Sequence, residues 1–451
     1  MLLTIIEEDQ AIWQERVARI EEAKLLQELL AVSWELTSQL TVRIIEKALM
    51  ERAEQAADWG RCECCGKRLE SKGMRPRQIT TIFGPVHWKR RVGRCPDGCQ
   101  IGQVVPLDEE LGLEAYQGSD QGLKQKACLL AIFVPFETAA MLLKQLTGLE
   151  VSATSIWTWV QTIGQQLEAR LETELQQMEQ GSVPAVEELD SPIDQQPLLI
   201  GADGVMVPFR PNGGQPKGKI RYREVKVGVL SRLTSRFNRS GVLVSELKQR
   251  RLVAMVGPIA DFAPRLRLEA LRQGIEQVEC VVWLSDGAVG LWCLFEAHFA
   301  AHALGVLDFY HATQNLWQGV GAWLGGRSRA ARSWFHDARH RLRHDQADDV
   351  LADLLSAAEL PELSAASRAT IARVYAYLDK HRDHIQYHHL KEAGLPIGSG
   401  LVESACKWLI QQRFKGVGMR WGEQSFTHLL LLRLAWVNGR FEACFCSSPN
   451  F

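Results

Sequence analysis

Pro197-Leu198-Leu199-Ile200-Gly201-Ala202-Asp203-Gly204-Val205-Met206-Val207-Pro208 is an apolar run with a single acid in its middle. Its length, its aliphatic composition and its flanking prolines predict a buried strand. An unpaired carboxylate inside such a strand costs several kcal/mol unless a cation compensates it, so Asp203 calls for a partner.

The following segments give the strand its context. Tyr222-Arg223-Glu224-Val225-Lys226-Val227-Gly228-Val229-Leu230 alternates and should pair with it antiparallel, and Arg251–Val256 is a third strand candidate. An amphipathic helix is expected near 260–274. Cys280-Val281-Val282-Trp283-Leu284-Ser285-Asp286-Gly287 then reads as an apolar strand ending in an acid. A helix over about 289–300 leads to Ala303-Leu304-Gly305-Val306-Leu307-Asp308-Phe309-Tyr310-His311, another strand. Three strands, a helix, a strand, a helix and a strand is the element order of a ribonuclease H-like core. In that layout Asp203 and Asp286 lie on neighbouring strands.

A third acid comes much later. Gly398-Ser399-Gly400-Leu401-Val402-Glu403-Ser404-Ala405-Cys406-Lys407 is a glycine turn opening an amphipathic helix with Glu403 in its first turn. Two aspartates and one glutamate converging on one edge would hold two Mg²⁺ or Mn²⁺ ions roughly 4 Å apart, and hard oxygen ligands suit those ions. Plainer readings exist for each acid. An Asp-Gly pair is commonly a turn, and Glu403 can cap its helix or pair with Lys407 one turn on.

These segments, Ala202-Asp203-Gly204, Leu284-Ser285-Asp286-Gly287-Ala288, Leu307-Asp308-Phe309-Tyr310-His311-Ala312 and the Glu403 motif running on through Lys415-Gly416-Val417-Gly418-Met419-Arg420-Trp421, resemble bacterial insertion-sequence transposases of the DDE type. The match looks like the Kra-type insertion-sequence family of the Mutator-like enzymes, over about residues 60–440. The resemblance implies that Asp203, Asp286 and Glu403 are catalytic metal ligands. It gives Asp308 and His311, an Asp-x2-His motif, an auxiliary role near the scissile phosphate. Similar transposases carry an acid or His after this motif, where this chain has Gln314-Asn315. They also place a helical insert between the second Asp and the Glu, and residues 313–396, rich in Ala, Leu, Arg and His, read as such an insertion. Within it His336, His340 and His344 are spaced as a stripe that alternates with Arg339, Arg341 and Arg343. A basic face against DNA suits that pattern better than a metal site.

The activity so implied is binding of element ends, metal-dependent cleavage of phosphodiester bonds and strand transfer into target DNA, with self-association in a synaptic complex. Arg413, Lys415, Arg420 and Trp421 would then contact backbone and flanking bases. A non-catalytic DNA-binding derivative and a structure-selective nuclease of the same fold are the alternatives.

Upstream, Cys62-x2-Cys65 and Cys95-x3-Cys99 flank a hairpin pattern built on Gln78–Phe83, a Gly84-Pro85 turn and Val86–Lys89. Two cysteine knuckles around a hairpin suit one structural Zn²⁺, with Cys64 a spare thiol. The unit would present Arg75, Arg77, Lys89, Arg90 and Arg91 to phosphates. Between 105 and 177, Phe136–Leu146, Gly148 and a helix entered through Thr154 and Ser155 form a helix-turn-helix-like pattern, with Thr154, Ser155, Thr158 and Gln161 toward a DNA groove.

The 451 residues thus divide into a helical region (1–60), a zinc-ribbon-like module (61–104), a helical DNA-binding region (105–177), a solvated acidic linker (178–197), the first part of the core (198–312), the insertion (313–396) and the core completion (397–451). The class is multidomain α+β. Net charge is −1, yet residues 61–95 hold ten Lys or Arg against two Glu, and 209–239 hold nine against one. Basic patches on a neutral chain fit phosphate contact. No apolar run reaches the ~20 residues a membrane span needs, and the acidic N-terminus is unlike a signal peptide, so a cytoplasmic protein that associates with the nucleoid is expected. The scattered cysteines, among them Cys406, read as packing residues.

Overall fold

A computed structural model of the chain describes residues 5–7, 9–99, 103–189, 193–211, 218–241 and 243–446. It is mixed α and β and comprises two compact units, residues 1–160 with 442–451, and residues 161–441. The division falls inside one continuous helix rather than in the acidic stretch. Among the described residues no helix is long and apolar enough to cross a membrane.

The first unit begins with helices α1 (Gln10–Glu22) and α2 (Leu26–Glu54). The Glu28 carboxylate accepts from the Leu25 and Lys24 N–H groups and so caps the start of α2. Strands β1 (Glu70–Thr81) and β2 (Gly84–Arg94) form an antiparallel hairpin in which Thr81 pairs with Gly84. Val42, Ile45, Leu49 and Ala53 of α2 pack on its inner face against Ile79, Val86 and Trp88, closed by Leu107 of the short helix α3 (Pro106–Glu110). Helices α4 (Gln121–Ala131) and α5 (Phe136–Thr147) follow, and α6 (Ala153–Glu179) begins in this unit. Asp120 caps α4, and Gly148 ends α5 in the left-handed conformation (φ 76°) that glycine adopts without steric cost.

The second unit is built on a five-stranded sheet of β3 (Leu198–Phe209), β4 (Arg221–Phe237), β5 (Leu243–Val256), β6 (Val281–Ser285) and β7 (Ala303–Leu307). Their spatial order is β5-β4-β3-β6-β7. The β3–β4 and β4–β5 pairs are antiparallel, whereas β3–β6 and β6–β7 are parallel, so the hairpin-linked strands lie on one side and the crossover strands on the other. Helices α7 (Ile259–Arg272) and α8 (Val289–His298) provide the crossovers. Gly228 of β4 admits Leu266 and Phe262 of α7, because a Cβ there would strike Leu266 Cδ1 at 2.6 Å.

Beyond β7 the chain is helical: α9 (Phe309–Leu324), α10 (Arg329–Arg343), α11 (Ala347–Ala358), α12 (Ala365–Lys380) and α13 (Tyr387–Glu392). Ala338, Leu342, Val350, Leu354, Ile371 and Leu378 of these helices share one apolar cluster with Ile200, Val282, Trp283 and Val306 of the sheet. The helical segment therefore completes the sheet's core and is not a separate folding unit. The chain returns through α14 (Gly400–Ala405), a π-helical turn (Cys406–Gln411), α15 (Gln412–Phe414) and α16 (Glu423–Val437).

The acidic stretch 178–197 departs from the solvated linker expected of it, although residues 190–192 lie outside the described residues. Glu187 accepts from Arg251 Nε at 2.9 Å and from Gln273 Nε2 at 2.7 Å, and its N–H donates to the Arg272 carbonyl. Arg440 joins the same group through buried Glu269 at 2.8 Å. Cations on β5 and after α16 draw the acid in, and the segment becomes a strap. In the second basic stretch, residues 212–217 lie outside the described residues, and Arg232 is a buried structural cation donating to the Gln196 and Gln273 carbonyls.

Candidate active site and metal centre

Three aspartates stand in one row across the parallel side of the sheet. Ala202 pairs with Ser285 and Ser285 with Leu307, so Asp203 follows by one position within β3, and Asp286 and Asp308 come directly after the last residues of β6 and β7. The Glu403 helix reaches this row because Gly201, two residues before Asp203 and on the same face of β3, leaves room for Val402. A Cβ on Gly201 would collide with the Val402 side chain. Val402 is buried by that contact, and Glu403, the next residue, is exposed. One turn on, Cys406 Sγ lies 3.8 Å from Asp203 Oδ2.

Asp203 and Asp308 are shifted in opposite directions. Burial pushes the Asp203 carboxyl above its ordinary range and the Asp286 charge adds to this, outweighing the Gly204 N–H, His311 and Cys406. Asp286 is half-buried at the strand end, where its Oδ1 accepts from the Ala288 N–H at 3.0 Å. Tyr377 of α12 fills the space where a Cβ on Gly287 would stand, which explains the glycine after Asp286. Burial raises the Tyr377 hydroxyl, and the Asp286 and Asp308 charges add to that.

Asp308 is built in differently. At 1% exposure it caps α9, accepting from the His311 N–H at 2.7 Å and facing His311 Nδ1 at 3.1 Å. It also accepts from the backbone N–H of Ser399, which precedes the Glu403 helix. Burial would raise its carboxyl, but these bonds outweigh burial and hold it below the usual carboxylate range. Its partner His311 is raised by the Asp308 carboxylate, against burial, with Asp286 and Asp203 contributing. Asp308 thus ties the start of α9 to the start of α14.

The cysteine unit forms a second centre. The Sγ atoms of Cys62, Cys65, Cys95 and Cys99 all lie within 4.8 Å of one another, and among the described residues this is the group gathered to that spacing. Cys65 and Cys95 are 3.4 Å apart. Four sulfurs each ~2.3 Å from a central ion suit tetrahedral zinc. Each knuckle turns through a left-handed glycine, Gly66 (φ 70°) and Gly98 (φ 67°), and Lys67 and Asp97 bridge the two at 2.7 Å. Burial would raise the Cys62 thiol, but the Cys65 and Cys64 N–H groups and nearby thiols bring it down to about 7. Cys64 is exposed and outside the group.

Several expected DNA contacts sit otherwise. Arg413 is 2% exposed, with its guanidinium 5.2 Å from the Trp421 ring centroid, so it is a packing cation rather than a surface contact. Trp421 is half-buried and donates to the Phe414 carbonyl at 2.9 Å. Lys415 and Arg420 are exposed around the Val417 tip. On the hairpin, Arg75, Arg77 and Arg90 share the face of Ile79 and Trp88, whereas Lys89 and Arg91 lie on the other. Arg90 is held by Asp108 at 3.2 Å, and Arg77 donates to the Glu114 carbonyl. Arg75 and Lys89 are exposed. Thr154 and Thr158 are exposed on α6, but the Ser155 hydroxyl bonds to Ser152 and Gln161 Oε1 lies 3.0 Å from His428 Nδ1. Cys406 and Tyr377 were not singled out as site residues from sequence. Cys406 stood inside the Glu403 motif, one helical turn from the acid, which was the available signal; Tyr377 had none.

A family model described as an uncharacterised protein family (UPF0236) matches residues 19–197. The chain is similar to the "UPF0236 protein in vanSb 3′region" of Streptococcus gallolyticus, at 27% identity over 394 residues, covering 85% of this chain and 76% of that protein. Among solved structures it is similar to the Drosophila P element transposase strand transfer complex, at 11% identity and a TM-score of 0.25, covering 74% of this chain and 82% of that one. That score is too low to equate individual residues.

Proposed function

We propose that this protein is a DDE-type transposase whose second unit is a ribonuclease H-like catalytic core. The observation that carries the reading is the row of Asp203 within β3 and Asp286 and Asp308 directly after the adjacent strands β6 and β7, met by the Glu403 helix at Gly201. The strand order and the mix of antiparallel and parallel pairs fit that core. Asp203, Asp286 and Glu403 would hold two Mg²⁺ or Mn²⁺ ions; their oxygen donors, and the Asp286 charge acting on Asp203, suit hard divalent cations. When bound, such ions activate an attacking water or 3′-hydroxyl and stabilise the leaving oxygen. Asp308 orients His311 toward the cluster and sets the start of the Glu403 helix, and Tyr377 packs against the backbone that carries Asp286. Lys415 and Arg420 supply exposed cations for a phosphate backbone.

DNA binding is assigned to the first unit, where Zn²⁺ on Cys62, Cys65, Cys95 and Cys99 stiffens the hairpin that presents Arg75 and Lys89. In this reading Thr154 and Thr158 of α6, both exposed, would make the groove contacts. Synapsis of two element ends calls for self-association on DNA.

The test uses the full chain, Mn²⁺ and duplexes taken from the sequences flanking its gene. Joined strand-transfer products are expected, and Glu403→Gln should abolish both cleavage and joining. Hydrolysed ends alone would point to a structure-selective nuclease. Binding without any cleavage would point to a non-catalytic DNA-binding derivative, and either result overturns the transposase reading.

A further inference from the structure

Helices α9 and α10 flank an open surface cleft of about 410 Å³ lined by Trp317, Arg332, Phe335, His336 and Arg339. That volume falls within the ~300–1,000 Å³ range of ligand clefts. Trp317 and Phe335 meet edge to face with ring centroids 4.9 Å apart, yet Trp317 remains 36% exposed. On α10 the lining residues fall at i, i+3, i+4 and i+7, which places them on one stripe. Arg341, off that stripe, is paired with Asp337 and Asp353. Among the described residues Arg332 and Arg339 form no ion pair, and Arg339 instead lies over the Phe309 ring at 5.5 Å.

An accessible indole beside an aromatic edge, flanked by guanidiniums without carboxylate partners, is complementary to a flat ring that carries an anion. Stacking on the indole serves any base, and the arginines serve its phosphate. A base within a duplex cannot reach such a cleft, so its occupant must be unpaired. The cleft also adjoins the start of α9. Arg339, which lies over the Phe309 ring, reaches the residue that follows Asp308 at the start of α9.

We infer that this cleft binds an unpaired nucleotide of the DNA strand held at the carboxylate cluster, with the base on Trp317 and its phosphate between Arg332 and Arg339. The inference rests on the reading that DNA is the substrate.

The experiment measures binding of the full chain to two probes, a duplex with a single-stranded extension carrying a fluorescent adenine analogue and a fully paired duplex of equal length. The wild-type protein is expected to quench the analogue and to prefer the extended probe. Trp317→Ala should lose the quenching and about tenfold in affinity for the extension, about 1.4 kcal/mol, as expected for one lost stacking contact, and Trp317→Phe should retain most of both. Arg332→Ala, at an exposed position that cannot unfold the core, should weaken extension binding and lower its salt slope by about one. All variants should bind the paired duplex like wild type. Unchanged quenching and preference in Trp317→Ala would overturn the inference while leaving the DNA reading intact, and competition by free dAMP at equal concentration would assign the cleft to a free nucleotide instead. A wild-type chain that binds neither probe would bring down the DNA reading and the inference with it.

Discussion

Asp308 and Asp203 stand one strand apart from Asp286 on either side, and their surroundings push them in opposite directions. The Asp308 carboxyl is held below the usual range despite burial, and His311 is held above its ordinary value by Asp308. The acid's contribution to stability is present above about pH 4 and is lost as pH falls through its lowered value. The histidine's contribution is full below about pH 6.5 and is lost as pH rises through its raised value. Asp308→Asn, which keeps an acceptor but removes the charge, should therefore cost about 1 kcal/mol, discounted because His311 is only half-buried. Thermal melting across pH should show the largest wild-type advantage between about pH 4 and 6.5; an advantage independent of pH would contradict the pairing. Asp203 behaves oppositely. Its carboxyl is raised by burial and then by Asp286, so its stabilising share exists only at low pH and is lost as pH rises through the raised value. In chelator at neutral pH, Asp203→Asn should melt higher than wild type, and added Mg²⁺ should stabilise only the wild type. A binding site that holds like charges together trades stability for function.

Two elements depend on close approach or on metal. Gly201→Ala should push the Glu403 helix off β3 through Val402 and reduce metal-dependent cleavage at least tenfold with the sheet still folded. Adding Val402→Ala should restore part of the loss, and the double variant failing to recover would show that the helix does not act through this contact. In the cysteine unit little apolar core surrounds Cys62, Leu69 and Cys95, so Cys95→Ser should release zinc, measurable by metal analysis, and loosen the hairpin ends. Local chemistry made these elements readable in sequence. An acid inside an aliphatic strand and four cysteines in two short knuckles declare themselves within a dozen residues, and β3, β6, β7 and the helices between them lie close to where periodicity predicts them. What stayed illegible was the choice of distant partners. Arg90 finds Asp108, Gln161 finds His428, and Glu187 finds Arg251 and Gln273, so residues expected at a DNA surface or in solvent are consumed inside the fold. Arg413, directly after the π-helical turn at Cys406–Gln411, is buried before the basic loop begins. The polar ends of β4 and β5 extend those strands well beyond their apolar centres, since an edge pairing needs only backbone groups.

At the scale of the molecule, the zinc-type cluster and the carboxylate row belong to different compact units and use different donor chemistry. Sulfur ligands should retain Zn²⁺ while the oxygen set exchanges Mg²⁺ or Mn²⁺. Stripping zinc with a thiol-competing chelator should therefore weaken duplex binding, read by filter retention, and leave the melting of the second unit unchanged; loss of both together would mean that the units do not divide the work in this way. The central claim is that Asp203, Asp286 and Glu403 form a divalent-metal site. Manganese binding to the zinc-loaded full chain, followed by electron paramagnetic resonance, tests it most directly. Wild type should take up about two Mn²⁺ per chain, and Asp203→Asn, Asp286→Asn and Glu403→Gln should each lose at least one without unfolding. Wild-type protein that binds no Mn²⁺, or three variants that bind it as wild type does, would contradict the claim.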